Sequence, residues 1–179
     1  MPKYVAFLRA INVGGHTVKM DHLRLLFETL GFSNVETFIA SGNVIFSSKT
    51  KSIKALEKKI EGCLQETLGY RVATFIRSAV ELASIADYKA FNEVELNAEG
   101  NALYIGFLPD RPSDEATQKL LAFVTEVDDF HLSGREVYWL CRKRIGESAF
   151  SGARLERSFG MQATFRNSTT VRKIAAKYS

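Results

Sequence analysis

FIASGNVIF occupies residues 38–46, and 92 positions later FHLSGREVY occupies residues 130–138. Phe, Ser-Gly and an apolar run recur in both, and the pair FL closes an apolar run at 7–8 and again at 107–108. Ser41-Gly42-Asn43, set between two β-prone runs, signals a tight hairpin turn, because serine, glycine and asparagine all suit turns. The recurrence therefore places one hairpin in each half of the chain. Before the first hairpin, KYVAFLRAI (3–11) predicts a strand. MDHLRLLFETLGF (20–32) predicts a helix with Leu23, Leu26, Phe27 and Leu30 at helical spacing and Gly31 as its stop. After it, SIKALEKKIEGCLQETLG (52–69) predicts a second helix and RVATFI (71–76) a closing strand, with Ser78 and Glu81 at capping-box spacing for a short helix. The second half repeats this order: ALYIGFLPD (102–110) a strand, SDEATQKLLAFVTE (113–126) a helix, and DFHLSGREVYWLCR (129–142) a hairpin. SAFSGARLERSFG (148–160) then reads as a helix, MQATFR (161–166) as a strand and TTVRKIAAKY (169–178) as a closing helix. The expectation is an α+β protein, a tandem duplication of a ferredoxin-like βαββαβ unit with its two lobes packed together. The lobes are expected over 1–90 and 102–179, joined by the acidic, polar segment 91–101.

A chain of 179 residues, 46% hydrophobic, is long enough to bury about 70% of the surface its unfolded form exposes. No stretch approaches the roughly 18 apolar residues of a membrane helix, and MPKYVAFLRAIN is apolar too briefly for a signal peptide. Cys63 and Cys141 stand far apart with no CxxC partner, as small core residues of a reduced compartment do. These features predict a cytoplasmic protein without a membrane partner and leave the oligomeric state open. Charge is segregated: residues 1–78 carry a net +5, residues 79–134 a net −8 and residues 135–179 a net +7. Such asymmetry points to one surface that attracts anions, with solvated charge as the plainer alternative.

YVAFLRAINVGG and SGNVIF resemble the bacterial family called domain of unknown function 1697. A third family signature has the form TxRNWNTVxKL, and TFRNSTTVRKI is similar to it through Thr164, Arg166, Asn167, Thr170, Val171 and Lys173. Ser168 stands where the family carries tryptophan, Thr169 where it carries asparagine, and Ala10 where a glycine is usual. The resemblance implies two ferredoxin-like halves and brings no activity with it.

Gly14-Gly15 precedes a helix, but the spacing is neither the GxxxxGK[ST] of a P-loop nor a GxGxxG fingerprint. What remains is either a turn that needs positive φ or an anion-facing loop flanked by Arg9 and Lys19. Arg9 follows VAFL on a strand expected to be central, so its charge should sit at the strand's end on a carboxylate, a carbonyl or an anion. Near the carboxyl terminus, Arg166, Asn167, Thr169, Thr170, Arg172 and Lys173 form the densest polar group. Capping explains the hydroxyls. It does not explain cations at the positive end of a helix dipole, which an anion would compensate. Arg142-Lys143-Arg144 would extend this basic surface or stand as a solvated loop.

RNA recognition of the RRM type finds thin support: LYIGFL (103–108) has an aromatic at its second position, but neither SGNVIFSS nor GREVYWLC supplies the second motif. His16, His22 and His131 share no metal-ligand spacing, Ser148 and Ser151 lie outside a GxSxG elbow, and Glu147 beside Ser148 reads more simply as a helix start. No metal and no cofactor is called for. The candidate anion-binding residues are Arg9, Asn12, Gly14, Gly15, Lys19, Asn43, Arg166, Asn167, Thr170 and Lys173. The ends of the first and last strands, and with them Arg9 and Arg166, are expected to lie near one another. The ligand would be a phosphorylated small molecule or, weakly and in a salt-sensitive way, nucleic acid. Two alternatives remain: an enzyme acting on a phosphorylated metabolite, and an interaction module whose polar motifs are purely structural.

Overall fold

An uninterrupted apolar run flanked by polar residues is the pattern of a strand covered on both faces, and KYVAFL forms one as β1 (Lys3–Leu8). The computed structural model describes residues 1–12, 17–39, 42–142, 148 and 150–178. After β1 come α1 (Met20–Thr29), β2 (Ser33–Thr37), β3 (Asn43–Ser47), α2 (Ile53–Leu68), β4 (Thr74–Ser78) and α3 (Ala79–Asp87). A short α4 (Glu93–Asn97) leads to β5 (Ala102–Phe107), α5 (Asp114–Leu121), β6 (Asp128–Ser133), β7 (Glu136–Cys141), α6 (Gly152–Phe159), β8 (Thr164–Asn167) and α7 (Ser168–Tyr178). The strands make two antiparallel four-stranded sheets, ordered β2-β3-β1-β4 and β6-β7-β5-β8. Each is the sheet of a βαββαβ unit, so the duplicated α+β architecture holds. By compactness the chain divides into Met1–Ser84 with the stretch from Ile174 onward, and Ile85–Lys173.

In the first unit one sheet face, carrying Tyr4, Ala6, Leu8, Val44, Phe46 and Ile76, meets Leu23, Phe27, Leu56, Ile60 and Leu64 of the two helices. Alternation along a strand sends the intervening side chains the other way, and there Val5, Phe7, Ile45, Phe75 and Arg77 are buried too. Helix ends are set locally. Ser52 Oγ accepts from Ala55 N at 3.2 Å to start α2, and Gly69, at φ +82°, ends it in the left-handed conformation. Ser78 and Glu81 make the anticipated reciprocal box, Glu81 N donating to Ser78 Oγ and Ser78 N to Glu81 Oε2. Tyr178 ties the end of α7 to β2 by donating to Glu36 Oε2 at 2.7 Å.

In the second unit Trp139 lies at the centre of an aromatic cluster, with Phe150 at 4.9 Å, Tyr104 at 5.0 Å and Phe165 at 6.0 Å between ring centroids. Gly106 makes room for Phe165, since a Cβ there would come within 2.5 Å of its ring. Beneath the indole, buried Asp128 accepts from Trp139 Nε1 at 2.8 Å and from Ser148 Oγ at 2.6 Å.

The ladders refine the repeat. Ala6 pairs with Val44 and Gly106 with Val137, so β3 and β7 correspond at an offset of 93 rather than 92. The reason is loop length: Thr37 pairs with Val44 across the first hairpin, whereas Ser133 pairs with Glu136 around Gly134 and Arg135 in the second. The segment 91–101, expected as plain connection, contains α4, started by Asn92 Oδ1 accepting from Glu95 N at 2.8 Å.

Candidate functional site

Strand β8 passes into α7 without a loop. Asn167 is the pivot: its Oδ1 accepts from Thr169 N at 2.8 Å and caps the first turn of the helix. Ser168 follows at the helix start, and Arg172, four residues on, falls on the same helical face. Asn167, Ser168, Thr169 and Arg172 line a groove of about 610 Å³ wholly within the second unit. Its other wall comes from 86–103 and includes Tyr88, Lys89 and Asn97. Lys89 is exposed and pairs with Glu93 at 3.4 Å. Asn101 Nδ2 donates to Glu95 O at 2.7 Å, and Arg142 pairs with Glu95 at 2.6 Å, so the segment carrying α4 is fastened from two sides. The bond Arg142 donates to Glu95 raises the arginine's pKa, and this residue serves that wall rather than the basic surface; Lys143 and Arg144 lie outside the described residues. The groove thus combines a capped helix start, the cations Lys89 and Arg172, the carboxylates Asp87 and Glu93, and several amides.

Arg166 is placed differently. It is buried, does not line the groove, and donates from Nη1 to Thr164 Oγ1 at 2.7 Å and to Phe165 O at 3.0 Å. Desolvation pulls its pKa down to about 10, so it stays protonated near neutrality. Its counterpart is Arg77: Val5 pairs with Arg77 and Ile105 with Arg166 in the two ladders. Arg77 donates from Nη1 to Ile76 O at 2.9 Å, the same contact one residue back. Ser78 and Asn167, the next residues, both cap the following helix. The pair Arg-(cap) is therefore a repeated strand-to-helix junction. Thr170 is half-buried and Lys173 exposed, and neither lines the groove.

In the first unit, Gly14 and Gly15 lie outside the described residues. Arg9, half-buried just after β1, donates its N–H to Ala73 O at 2.9 Å. Asn12 Oδ1 accepts from Val18 N at 2.7 Å, and Lys19 stands exposed before α1. Asn43 is fully buried and donates from Nδ2 to Phe38 O at 2.8 Å, while Phe38 N donates to Asn43 O at 3.0 Å. Gly42, at φ +84°, accepts from Leu8 N at 2.9 Å, so FLRAIN and SGNVIF pack on one another. Ala10, at φ +55°, occupies a left-handed position that glycine adopts without strain. Ala10→Gly is expected to stabilise the protein by about 0.5–1 kcal/mol, relief of strain less the added chain entropy, read as a higher urea midpoint.

No catalytic constellation emerges from the described residues. Ser148 donates to buried Asp128, whose carboxylate also holds Trp139 Nε1, and His131 Nε2 lies 2.7 Å from Tyr88 Oη. Among the described residues no group of three His, Cys, Asp or Glu is placed to hold a metal ion, and no helix is long and apolar enough to cross a membrane. Sequence reading named Asn167 but passed over Lys89, Tyr88 and Asn97, which approach the helix only through the fold. Arg172 and Thr169 stand in the dense polar group read from the sequence but not among the ten candidate residues.

The fold of the whole chain is similar to that of a conserved bacterial protein from Streptococcus pneumoniae. The TM-score is 0.78 at 21% identity, over 98% of this chain and 97% of that one. No match is found among curated proteins. The profile of the family described as "Protein of unknown function (DUF1697)" matches residues 1–138, which contain the first two motifs and the first hairpin and end within β7. The chain belongs to that family.

Proposed function

We propose that the protein binds a phosphate-bearing small molecule in the groove at the start of α7. One observation carries the reading: in a single concave site, Arg172 stands with the first turn of an eleven-residue helix, whose dipole favours an anion there. Lys89, paired with Glu93 at 3.4 Å, lies on the facing wall. Asn167 and Thr169 add short polar groups that hydrogen-bond phosphate oxygens. Arg166 would act through position, holding β8 in register behind the cap. Thr170 and Lys173 remain proposed contacts of second rank; Arg9, Asn12, Lys19 and Asn43 belong to the first unit and are not among the residues lining this groove. Nucleic acid is the lesser reading. Tyr104, the aromatic of LYIGFL, is half-buried and packs on Trp139 at the margin of the core, so its ring does not stand free as a stacking platform. An enzyme using the same groove is the alternative reading, with Tyr88, hydrogen-bonded to His131 Nε2 at 2.7 Å, as its candidate proton-transferring group.

Isothermal titration with inorganic phosphate, pyrophosphate and a single-stranded oligonucleotide tests this. Arg172→Ala is expected to weaken phosphate or pyrophosphate binding at least about tenfold, about 1.4 kcal/mol, and Lys89→Ala by less. Oligonucleotide binding, where measurable, should be weak and fall linearly with log salt across roughly 50–200 mM. A wild type that binds none of the three overturns the proposal, as does an Arg172→Ala protein that binds phosphate unchanged.

A further inference from the structure

Strand β4 is an edge of its sheet, and an edge strand presents alternate N–H groups away from its one partner. Pairing with β1 leaves Thr74, Ile76 and Ser78 facing outward, and each of these amides donates to a glutamate. Thr74 N donates to Glu61 Oε1 at 2.9 Å, Ile76 N to Glu57 Oε1 at 3.1 Å, and Ser78 N to Glu81 Oε2 at 2.8 Å. Glu57 and Glu61 are one turn apart on α2, so the helix lays two acceptors along the strand at the two-residue spacing of its outward amides. Glu81 completes the row from α3. Glu57 is only 6% exposed, an unusual place for a carboxylate on a helix whose lysines, Gln65 and Glu66 face water.

The second unit keeps one part of this row. Ala163 N, at the register position of Thr74, donates to Glu156 Oε1 at 3.1 Å. Helix α6 has 8 residues against 16 in α2 and ends at Gly160, four residues after Glu156.

We propose that Glu57, Glu61 and Glu81 form an edge guard, closing β4 against antiparallel addition of β4 from a second copy of this chain. The physical case is that TFIRS is a short, largely apolar strand whose outward amides would otherwise be a template for an identical strand. Three carboxylates occupy those donors and set negative charge where an incoming strand would bring its own carbonyl oxygens.

The test uses the full chain with each glutamate changed to alanine and, in parallel, to glutamine, which keeps an acceptor oxygen. Amide hydrogen exchange is read at Thr74, Ile76 and Ser78, and apparent mass by light scattering over a concentration series. The expected result is exchange at least about tenfold faster at the amide facing each alanine, near-native protection with glutamine, and a concentration-dependent rise in mass for the triple alanine variant. If the triple variant fails to fold, Glu61→Ala/Glu81→Ala, which spares buried Glu57, is read in the same way and should show a smaller rise. Unchanged protection at the three amides overturns the guard. So does lost protection with a mass equal to wild type at every concentration, since the carboxylates would then only steady the strand.

Discussion

An Asp128→Ala variant is expected to lose about 3–5 kcal/mol of stability, because two donors at about 1–3 kcal/mol each lose their acceptor. Asp128 is 1% exposed and holds Trp139 Nε1 and Ser148 Oγ together. Ser148 Oγ in turn accepts from Phe150 N at 3.0 Å, so the loss propagates to the ring that packs on the indole. The chain has one tryptophan, and denaturation followed by its fluorescence reports on the same site. Asp128→Asn keeps a carbonyl for the indole and should lose about half as much. A loss below about 1 kcal/mol for Asp128→Ala, the ordinary range of a surface change, would contradict the assignment.

Gly42→Ala is expected to cost about 2–4 kcal/mol, the sum of left-handed backbone strain and overpacking. Its Cβ would lie 2.7 Å from Ile11 Cγ2 and 3.3 Å from Leu8 O, at φ +84°. Because Leu8 and Ile11 belong to FLRAIN, the effect measures how firmly that motif packs against SGNVIF. Adding Ile11→Ala should relieve the clash but not the backbone strain, so the double variant should be more stable than the sum of the single losses implies. Strict additivity in urea denaturation would show that the contact between the motifs is not what constrains Gly42.

Local signals made most of the fold legible. Ser52, Gly69 and the Ser78–Glu81 box act within one helical turn, and each was readable from residue type and spacing. The hairpin offset was not, because side-chain pattern identifies the strands while loop length sets the register, and the two loops differ. Alternation along TFRN was present in the sequence, yet the burial of Arg166 became evident only through Arg77, its counterpart in the other ladder. The groove brings Lys89 and Arg172 together across more than eighty residues, which no periodicity encodes. The glutamates facing β4 are similar: a helix carboxylate reads as a solvated face until a strand edge is known to lie beside it.

The start of α7 is the proposed anion site, and an amide-resolved titration of the full chain with pyrophosphate tests it most directly. Shifts of the backbone amide signals should concentrate at Ser168, Thr169, Thr170 and Val171, with Lys89 and Arg172 following, and should saturate together with one dissociation constant. Signals of α1 and α2 should stay in place. Saturable shifts confined to other residues, or small shifts spread over all exposed lysines without saturation, would contradict the assignment of this groove.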